Sequence, residues 1–247
     1  MLSPFRKLWM LVRMPEFRSR VRFSEIDPSK KITLPAIINY FQDCSTFQSE
    51  SFGLGVDYFE EHKKAWVLSA WQVVIERYPK LGEEISVSTW AIEFKGLFGD
   101  RNFCMRDSDG QAVAYANSVW AYMDMEKGRP AKPSPEEVAA YGSGEPLEME
   151  FAPRKITLPE SAEEKPSFPV RKYHIDTNGH VNNCQYVQMA MEALEGDRVI
   201  RQVRVEYKKS AVYKDIIVPK VAEETDRTVV ELCDEAGKPY AVVEFRQ

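Results

Sequence analysis

The sequence is short of the features that mark several large functional classes. Only four of its 247 residues are cysteine, Cys44, Cys104, Cys184 and Cys233. They are widely spaced and form no CxxC pair, which excludes a disulfide framework and a cysteine zinc site and fits a reducing compartment. Long hydrophobic runs are missing as well. The run at residues 8–12, behind Arg6 and Lys7, is too short for a signal peptide and far below the roughly 20 residues that span a membrane. Residues 1–14 therefore read as an N-terminal tail or an upstream start, and the chain as cytoplasmic. Positive charge is not in excess: 33 basic against 38 acidic residues leave −5, so no global basic field draws the chain onto nucleic acid. There is no Gly-rich phosphate loop, and no Gly-x-Ser-x-Gly that would mark a serine-hydrolase nucleophile. Histidine is scarce too, with three in the whole chain.

What is present is core material: 44% apolar residues, including 13 Phe, 11 Tyr and 5 Trp, the balance of a folded, water-soluble protein. Eight of the fifteen prolines lie between residues 127 and 169, beside Gly128, Gly142 and Gly144. This marks 127–166 as a Pro-rich linker between an N-terminal unit, 15–126, and a C-terminal unit, 167–247. The two units repeat. Val21-Arg22-Phe23-Ser24-Glu25-Ile26-Asp27 precedes Val170-Arg171-Lys172-Tyr173-His174-Ile175-Asp176 by 149 positions, with four of seven residues identical. The order of elements repeats with it. In the first unit, period-2 alternation over residues 17–23 predicts a strand, and Leu34, Ile37, Ile38, Phe41 and Cys44 predict a helix capped by Thr33. Four strands follow, over 66–78, 84–94, 101–106 and 112–123. In the second unit, 170–175 reads as the short strand, a helix begins near Asn182 or Asn183, and strands follow over 198–209, 216–223, 228–233 and 240–245. Two α+β units, each a long helix on a curved antiparallel sheet, describe a tandem hot-dog arrangement.

The densest polar run of the second unit, residues 173–183, holds two of the three histidines, His174 and His180. It lies between a strand and a helix N-terminus, where free backbone N–H groups favour an oxygen developing negative charge. Each residue also has a plain structural reading: a structural histidine, an Asx turn at Asp176, caps at the paired asparagines. Asp176, Asn178 and His180 match the first positions of a calcium loop, but the motif fails at Val181 and Val187, where it needs Gly and a bidentate Glu. The remaining chemical reading has His180 as base on water, Asn178 as donor to the substrate oxygen and Asp176 fixing the turn.

From about Phe17 onward the sequence resembles the acyl-acyl-carrier-protein (acyl-ACP) thioesterases, a family of two hot-dog repeats. Asp176-x-Asn178-x-His180-Val181-Asn182-Asn183-x-x-Tyr186 is similar to the family's catalytic segment. Ala65-Trp66-Val67-Leu68, Glu76-Arg77-Tyr78-Pro79 and Ser118-Val119-Trp120 are similar to its first repeat. The resemblance implies hydrolysis of the thioester linking a fatty acyl chain to acyl carrier protein (ACP), with Asp176, Asn178 and His180 catalytic and no metal or organic cofactor. Lys31 aligns with His180, so the first repeat lacks the base. That repeat would instead shape the acyl pocket, where Trp66, Trp71, Trp90, Phe94, Phe98 and Trp120 read either as pocket wall or as ordinary core. One position departs from the family. An acidic residue, often followed by cysteine, is expected where this chain has Ser210 and Ala211. Glu206 lies four residues away, about 13 Å along a strand, and cannot simply substitute; the change would leave a slower enzyme using His180 alone or shift the role to a carboxylate such as Glu192. Two alternatives stay open: an acyl-CoA thioesterase of the same fold, and a non-catalytic acyl or acyl-ACP binder that kept the fold after losing the carboxylate. A basic patch of Arg171, Lys172, Lys208, Lys209 and Lys214 would suit acidic ACP. The chain is expected either as a monomer or as a homodimer paired through sheet edges.

Overall fold

Strand alternation and one amphipathic helix per unit set the architecture. The computed structural model describes residues 16–196 and 198–247; the tail expected over 1–14 lies outside them. The chain divides into two compact units, one built from residues up to 67 together with 76–151, the other from 68–75 together with 152–247. No helix among the described residues is long and apolar enough to cross a membrane.

In the first unit, β1 (Glu16–Arg20), β3 (Glu84–Lys95), β4 (Phe98–Asp107) and β5 (Ala112–Asp124) pair antiparallel in the order β1-β3-β4-β5. β2 (Lys64–Ile75) is shared, its last eight residues falling in the second unit. Register aligns Phe17, Val87, Met105 and Ala114 in one row. Over this sheet lies α1 (Leu34–Ser51), begun as expected by Thr33, whose hydroxyl accepts the Ala36 N–H at 3.3 Å, with Pro35 in the first turn. Its buried face seats Cys44 Sγ on the Val87 carbonyl at 3.4 Å and Phe41 against Phe103 with ring centroids 5.3 Å apart. Phe41 is fully buried. Phe41→Ala is expected to cost about 3–5 kcal/mol of stability in urea unfolding, because a side chain of that size leaves a cavity in a close-packed core. A loss under about 1 kcal/mol would show that this face is not the core.

Two short helices, α2 (Val56–His62) and α3 (Pro135–Tyr141), complete the first unit, and β6 (Arg129–Pro130) pairs antiparallel with the end of β5. α3 falls inside the Pro-rich stretch, started by a Ser134–Glu137 capping box. Beyond it the chain is tied to the sheet: the Trp90 indole donates to the Glu145 carbonyl at 2.8 Å, and Leu147 N–H donates to Asn102 at 2.9 Å.

In the second unit the order runs from the end of β2 through β9 (Gln202–Tyr207), β12 (Pro239–Arg246), β11 (Thr228–Cys233) and β10 (Ile216–Glu223) to the two-residue β7 (Glu163–Glu164). β8 (Phe168–Pro169) also pairs with β10. α4 (Asn183–Glu192) packs on β11 and β12, capped by Asn182, whose Oδ1 accepts the Cys184 N–H at 2.9 Å. Both units are thus a helix on an antiparallel sheet, and together they are two hot-dog repeats of the α+β class.

Of the short strands expected over 17–23 and 170–175, the first stops at Arg20 and the second does not form, β8 ending at Pro169. 3-10 turns occupy Phe23–Glu25 and Lys172–His174 instead. In each case a side chain three residues ahead bonds back to the backbone: the Glu25 carboxylate accepts the Arg22 N–H at 2.8 Å, and His174 Nδ1 accepts the Arg171 N–H at 3.0 Å. That local bond competes with the strand ladder and wins.

Candidate active site

The segment 175–182 is a tight loop held shut by its own backbone. Asp176 N–H donates to the His180 carbonyl at 2.8 Å, Gly179 N–H donates to the Asp176 carbonyl at 3.1 Å, and Ile175 pairs with Val181. Asp176 Oδ1 accepts the N–H of Asn178 at 2.8 Å and of His180 at 3.2 Å. An Asp followed by two acceptable N–H donors is an Asx turn, so this carboxylate fixes the loop that carries the other two residues. Gly179 sits at φ +76°, a conformation that favours glycine.

The first repeat builds the same loop from different side chains. Asp27 Oδ1 accepts the N–H of Ser29 at 2.8 Å and of Lys31 at 3.2 Å, Asp27 N–H donates to the Lys31 carbonyl at 2.9 Å, and Ile26 pairs with Ile32. Lys30 takes the glycine's place at φ +62°. Loop geometry is thus common to the two repeats, and the side chains at its third and fifth positions differ: Asn178 and His180 against Ser29 and Lys31.

The two histidines of the segment part company. His174 is buried, with Nδ1 accepting the Arg171 N–H, and burial together with the nearby Arg171 charge holds its pKa below the usual histidine value. It stays neutral and serves the turn. His180 is half-buried and Asn178 exposed, and neither side chain forms a hydrogen bond among the described residues. The structure therefore brings Asp176, Asn178 and His180 onto one loop, with hydrogen bonds to the Asp176 carboxylate and none within that set to the other two side chains.

Residues 210–212 run alongside the loop. His180 pairs with Val212 in an antiparallel bridge, and Val181 N–H donates to the Ala211 carbonyl at 2.9 Å. Ser210 is exposed and Ala211 fully buried, so the position that departs from the expected carboxylate pattern is two residues from the backbone partner of His180. Glu206 is occupied elsewhere, accepting the Ile156 N–H at 3.1 Å and the Lys208 ammonium. Glu192 closes α4, exposed and roughly 13 Å along the helix axis from Asn183, too far to serve the loop at that helix's start.

Three residues given no role by sequence reasoning hold this strip. The Tyr186 hydroxyl accepts the Ala211 N–H at 2.8 Å; its own pKa is pushed up to about 12, first by burial and then by the Asp215 and Asp176 charges. Asp215 Oδ2 accepts the Val212 N–H at 3.0 Å and the Tyr240 hydroxyl at 3.0 Å. Asp215 thus places a carboxylate in the turn that follows the strip, bonded to the backbone of Val212. Only the turn chemistry of Asp three residues after Val212 signals it in the sequence, and that pattern is common to many turns.

Of the six candidate wall aromatics, Trp66, Phe94 and Trp120 line a pocket in the first unit, together with Ser45, Gly99, Arg101 and Tyr141. Trp90 is buried and tethered to Glu145, Phe98 is exposed, and Trp71 belongs to the second unit. The pocket is small, a cavity of about 40 Å³, and partly open to solvent.

Two family profiles match the chain: the acyl-ACP thioesterase N-terminal domain over residues 15–141 and the acyl-ACP thioesterase C-terminal domain over residues 158–244. Among curated proteins, a chloroplastic acyl-[acyl-carrier-protein] hydrolase of Cuphea viscosissima is 24% identical over 231 residues, covering 85% of this chain and 56% of that protein. A chloroplastic palmitoyl-acyl carrier protein thioesterase of Arabidopsis thaliana is 28% identical over 191 residues, covering 70% and 45%. The chain spans about half the length of these relatives. Among solved structures, an acyl-ACP thioesterase from Bacteroides thetaiotaomicron superposes with a TM-score of 0.85 at 23% identity, covering 95% of this chain and 97% of that one. A 12:0-ACP thioesterase from Umbellularia californica gives 0.81 at 18%, covering 96% and 98%.

Proposed function

The chain belongs to the acyl-ACP thioesterase family, matched over both of its halves, and from that premise we propose that it hydrolyses the thioester of fatty acyl-ACP to free fatty acid and holo-ACP. His180 is the general base that takes a proton from water, Asn178 polarises or positions the thioester carbonyl, and Asp176 orients the loop. The observation that carries this reading is the pair of loops of common geometry, of which only the second presents an imidazole and a carboxamide. Water adds to the thioester carbonyl as its proton passes to the imidazole; collapse breaks the C–S bond, and the proton returns to the departing thiolate. In this reading the C-terminal repeat, 167–247, is catalytic, the N-terminal repeat, 15–126, shapes the acyl pocket, and 127–166 links them. Arg171, Lys172 and Lys214 are exposed and have no carboxylate partner among the described residues, which suits an acidic carrier protein; Lys208 and Lys209 are paired with Glu206 and Asp234. A cytoplasmic location is supported by four buried, free cysteines.

One observation favours a second reading, a non-catalytic acyl-ACP binder: the exposed Ser210 brings no carboxylate to the strip beside His180. Incubating the protein with acyl-ACPs of graded chain length and with matched acyl-CoAs, and quantifying free fatty acid, separates the readings. Release from acyl-ACP in preference to acyl-CoA is expected. Preference for CoA would make it an acyl-CoA thioesterase, and tight acyl-ACP binding without release would make it a binder.

A further inference from the structure

Each repeat lays a short strip of backbone against its loop, and the two strips are tied in the same way. Lys31 pairs with Lys80 as His180 pairs with Val212, and Ile32 N–H donates to the Pro79 carbonyl at 2.8 Å as Val181 N–H does to that of Ala211 at 2.9 Å. Before the strips, Glu76 and Arg77 both donate to the Val113 carbonyl, at 3.0 and 3.1 Å, and Lys208 and Lys209 both donate to that of Tyr240, at 2.8 and 3.3 Å. After them, a carboxylate three residues on accepts the strip's last N–H: Glu83 that of Lys80 at 2.8 Å, Asp215 that of Val212 at 3.0 Å. Counted from the caps Thr33 and Asn182, Ile37 and Tyr186 take the same place in their helices.

Side chains differ at two places in this shared frame. Where the first repeat has Ile37 and Val113, both buried, the second has Tyr186 and Tyr240, only 2% and 5% exposed. The Tyr186 hydroxyl accepts the Ala211 N–H at 2.8 Å, a donor that the first repeat does not possess, because Pro79 carries no N–H. The Tyr240 hydroxyl donates to Asp215 Oδ2 at 3.0 Å, where the first repeat sets the Arg77 guanidinium on Glu83 at 2.7 Å. Lys209, the counterpart of Arg77, lies instead over the Tyr240 ring, 4.3 Å from its centroid. One repeat is thus built without either hydroxyl, and the repeat that carries the imidazole has both.

We propose that Tyr186 and the Tyr240–Asp215 pair are positioning residues for the reaction: they fix residues 211 and 212, and through them the place of the His180 imidazole. The inference rests on the function proposed above. Tyr186 reaches the Ala211 N–H from α4, and Asp215, braced by Tyr240 from β12, holds the Val212 N–H. A buried phenol with two side-chain torsions is a stiff strut, whereas Arg77 ends a long, exposed side chain. A displacement of about 1 Å costs on the order of 100-fold in rate, so the stiffer brace stands beside the residue that reacts. Lys31, at the same place in the first repeat, makes no such demand.

The test reads His180 directly. Three histidines in the chain let the imidazole NMR signal of His180 be assigned in isotope-labelled protein by its loss in His180→Ala. Tyr186→Phe and Tyr240→Phe remove one oxygen each and keep the ring; each is expected to shift or broaden the His180 signal while leaving that of His62 unmoved. In each, kcat on acyl-ACP should fall about tenfold or more with KM within about twofold. Asp215→Ala should behave as Tyr240→Phe does. Asp215→Asn, whose carboxamide oxygen accepts the same two donors, should recover most of that loss. Glu83→Gln, the matched change in the first repeat, should alter neither the signal nor the rate. A purely structural role would lower the melting temperature and leave both readouts in place. An unmoved His180 signal in both tyrosine variants overturns the proposal, as does a kcat within about twofold of the unmodified protein in both. If either tyrosine variant does not fold, Asp215→Ala against Asp215→Asn makes the same comparison. A His180 signal that responds to the variants in a chain releasing no fatty acid keeps the bracing of His180 and removes the proposed activity; hydrolysis of acyl-ACP with an unresponsive signal does the reverse.

Discussion

His180→Ala is expected to lower turnover on acyl-ACP by at least about 100-fold while leaving the protein folded. The first half of that expectation comes from chemistry: a positioned base contributes about 10²- to 10⁴-fold, and of the two imidazoles in this segment that of His180 has no hydrogen-bond partner among the described residues, whereas His174 Nδ1 is taken up by the Arg171 N–H in the adjacent turn. The second half comes from the structure. What ties His180 to its surroundings is backbone, its carbonyl accepting from Asp176, its N–H donating to the Asp176 carboxylate and its pairing with Val212, and alanine retains all three. The melting temperature should therefore move little while kcat falls. The KM for acyl-ACP should stay within a few-fold, since the imidazole acts in the transition state rather than in ground-state binding. Turnover near that of the unmodified protein would remove His180 from the mechanism. A large fall in melting temperature would make it a structural histidine, the plain reading that the sequence also allows.

How much of this was legible beforehand depends on the range of the interaction that decides each feature. α1 was readable because its cap, its proline and its apolar spacing are local and agree with one another. β10 and β11 were placed to the residue by alternation and by the Asp234–Gly237 turn between β11 and β12. The 3-10 turns after β1 and β8 were missed because one side-chain bond to the backbone, from Glu25 or His174, holds a turn where a strand was expected. For the site, the sequence pointed to Asp176, Asn178 and His180 as one cluster, since all three lie within five residues. It was silent on Tyr186, Asp215 and Tyr240 as the support of the neighbouring strip, because those bonds join residues up to 25 apart in the chain.

Asp176→Ala and Asp27→Ala form a matched pair, and they are expected to separate loop geometry from catalysis. Each removes a carboxylate oxygen that accepts two backbone N–H groups over almost the same distances, 2.8 and 3.2 Å in both loops. Both loops are largely open to solvent, so each loss should fall at about 1–2 kcal/mol, the lower part of the range for hydrogen bonds to a charged group. For Asp27, burial raises the carboxyl pKa, but hydrogen bonds from Ser29 and Lys31 more than offset this and hold it below the usual carboxylate value. The stability that Asp27 contributes is therefore present above the unfolded pKa and is lost as pH falls through the lower folded value. Asp27→Ala should weaken that acid dependence. Activity should divide the pair: Asp176→Ala is expected to lose about 100-fold or more in kcat, because releasing the loop misplaces Asn178 and His180 by an ångström or so. Asp27→Ala should stay within a few-fold. Equal losses of activity would mean that the first loop also touches the reaction, and full activity in Asp176→Ala would mean that the turn does not position the site. Asp176→Asn then distinguishes two roles for the second carboxylate. A carboxamide oxygen still accepts the N–H groups of Asn178 and His180, so a residue that only orients the loop recovers most of the lost rate. If Asp176 must be charged, whether to activate water itself or to raise the basicity of His180, Asp176→Asn stays as slow as Asp176→Ala although its melting temperature returns toward that of the unmodified protein.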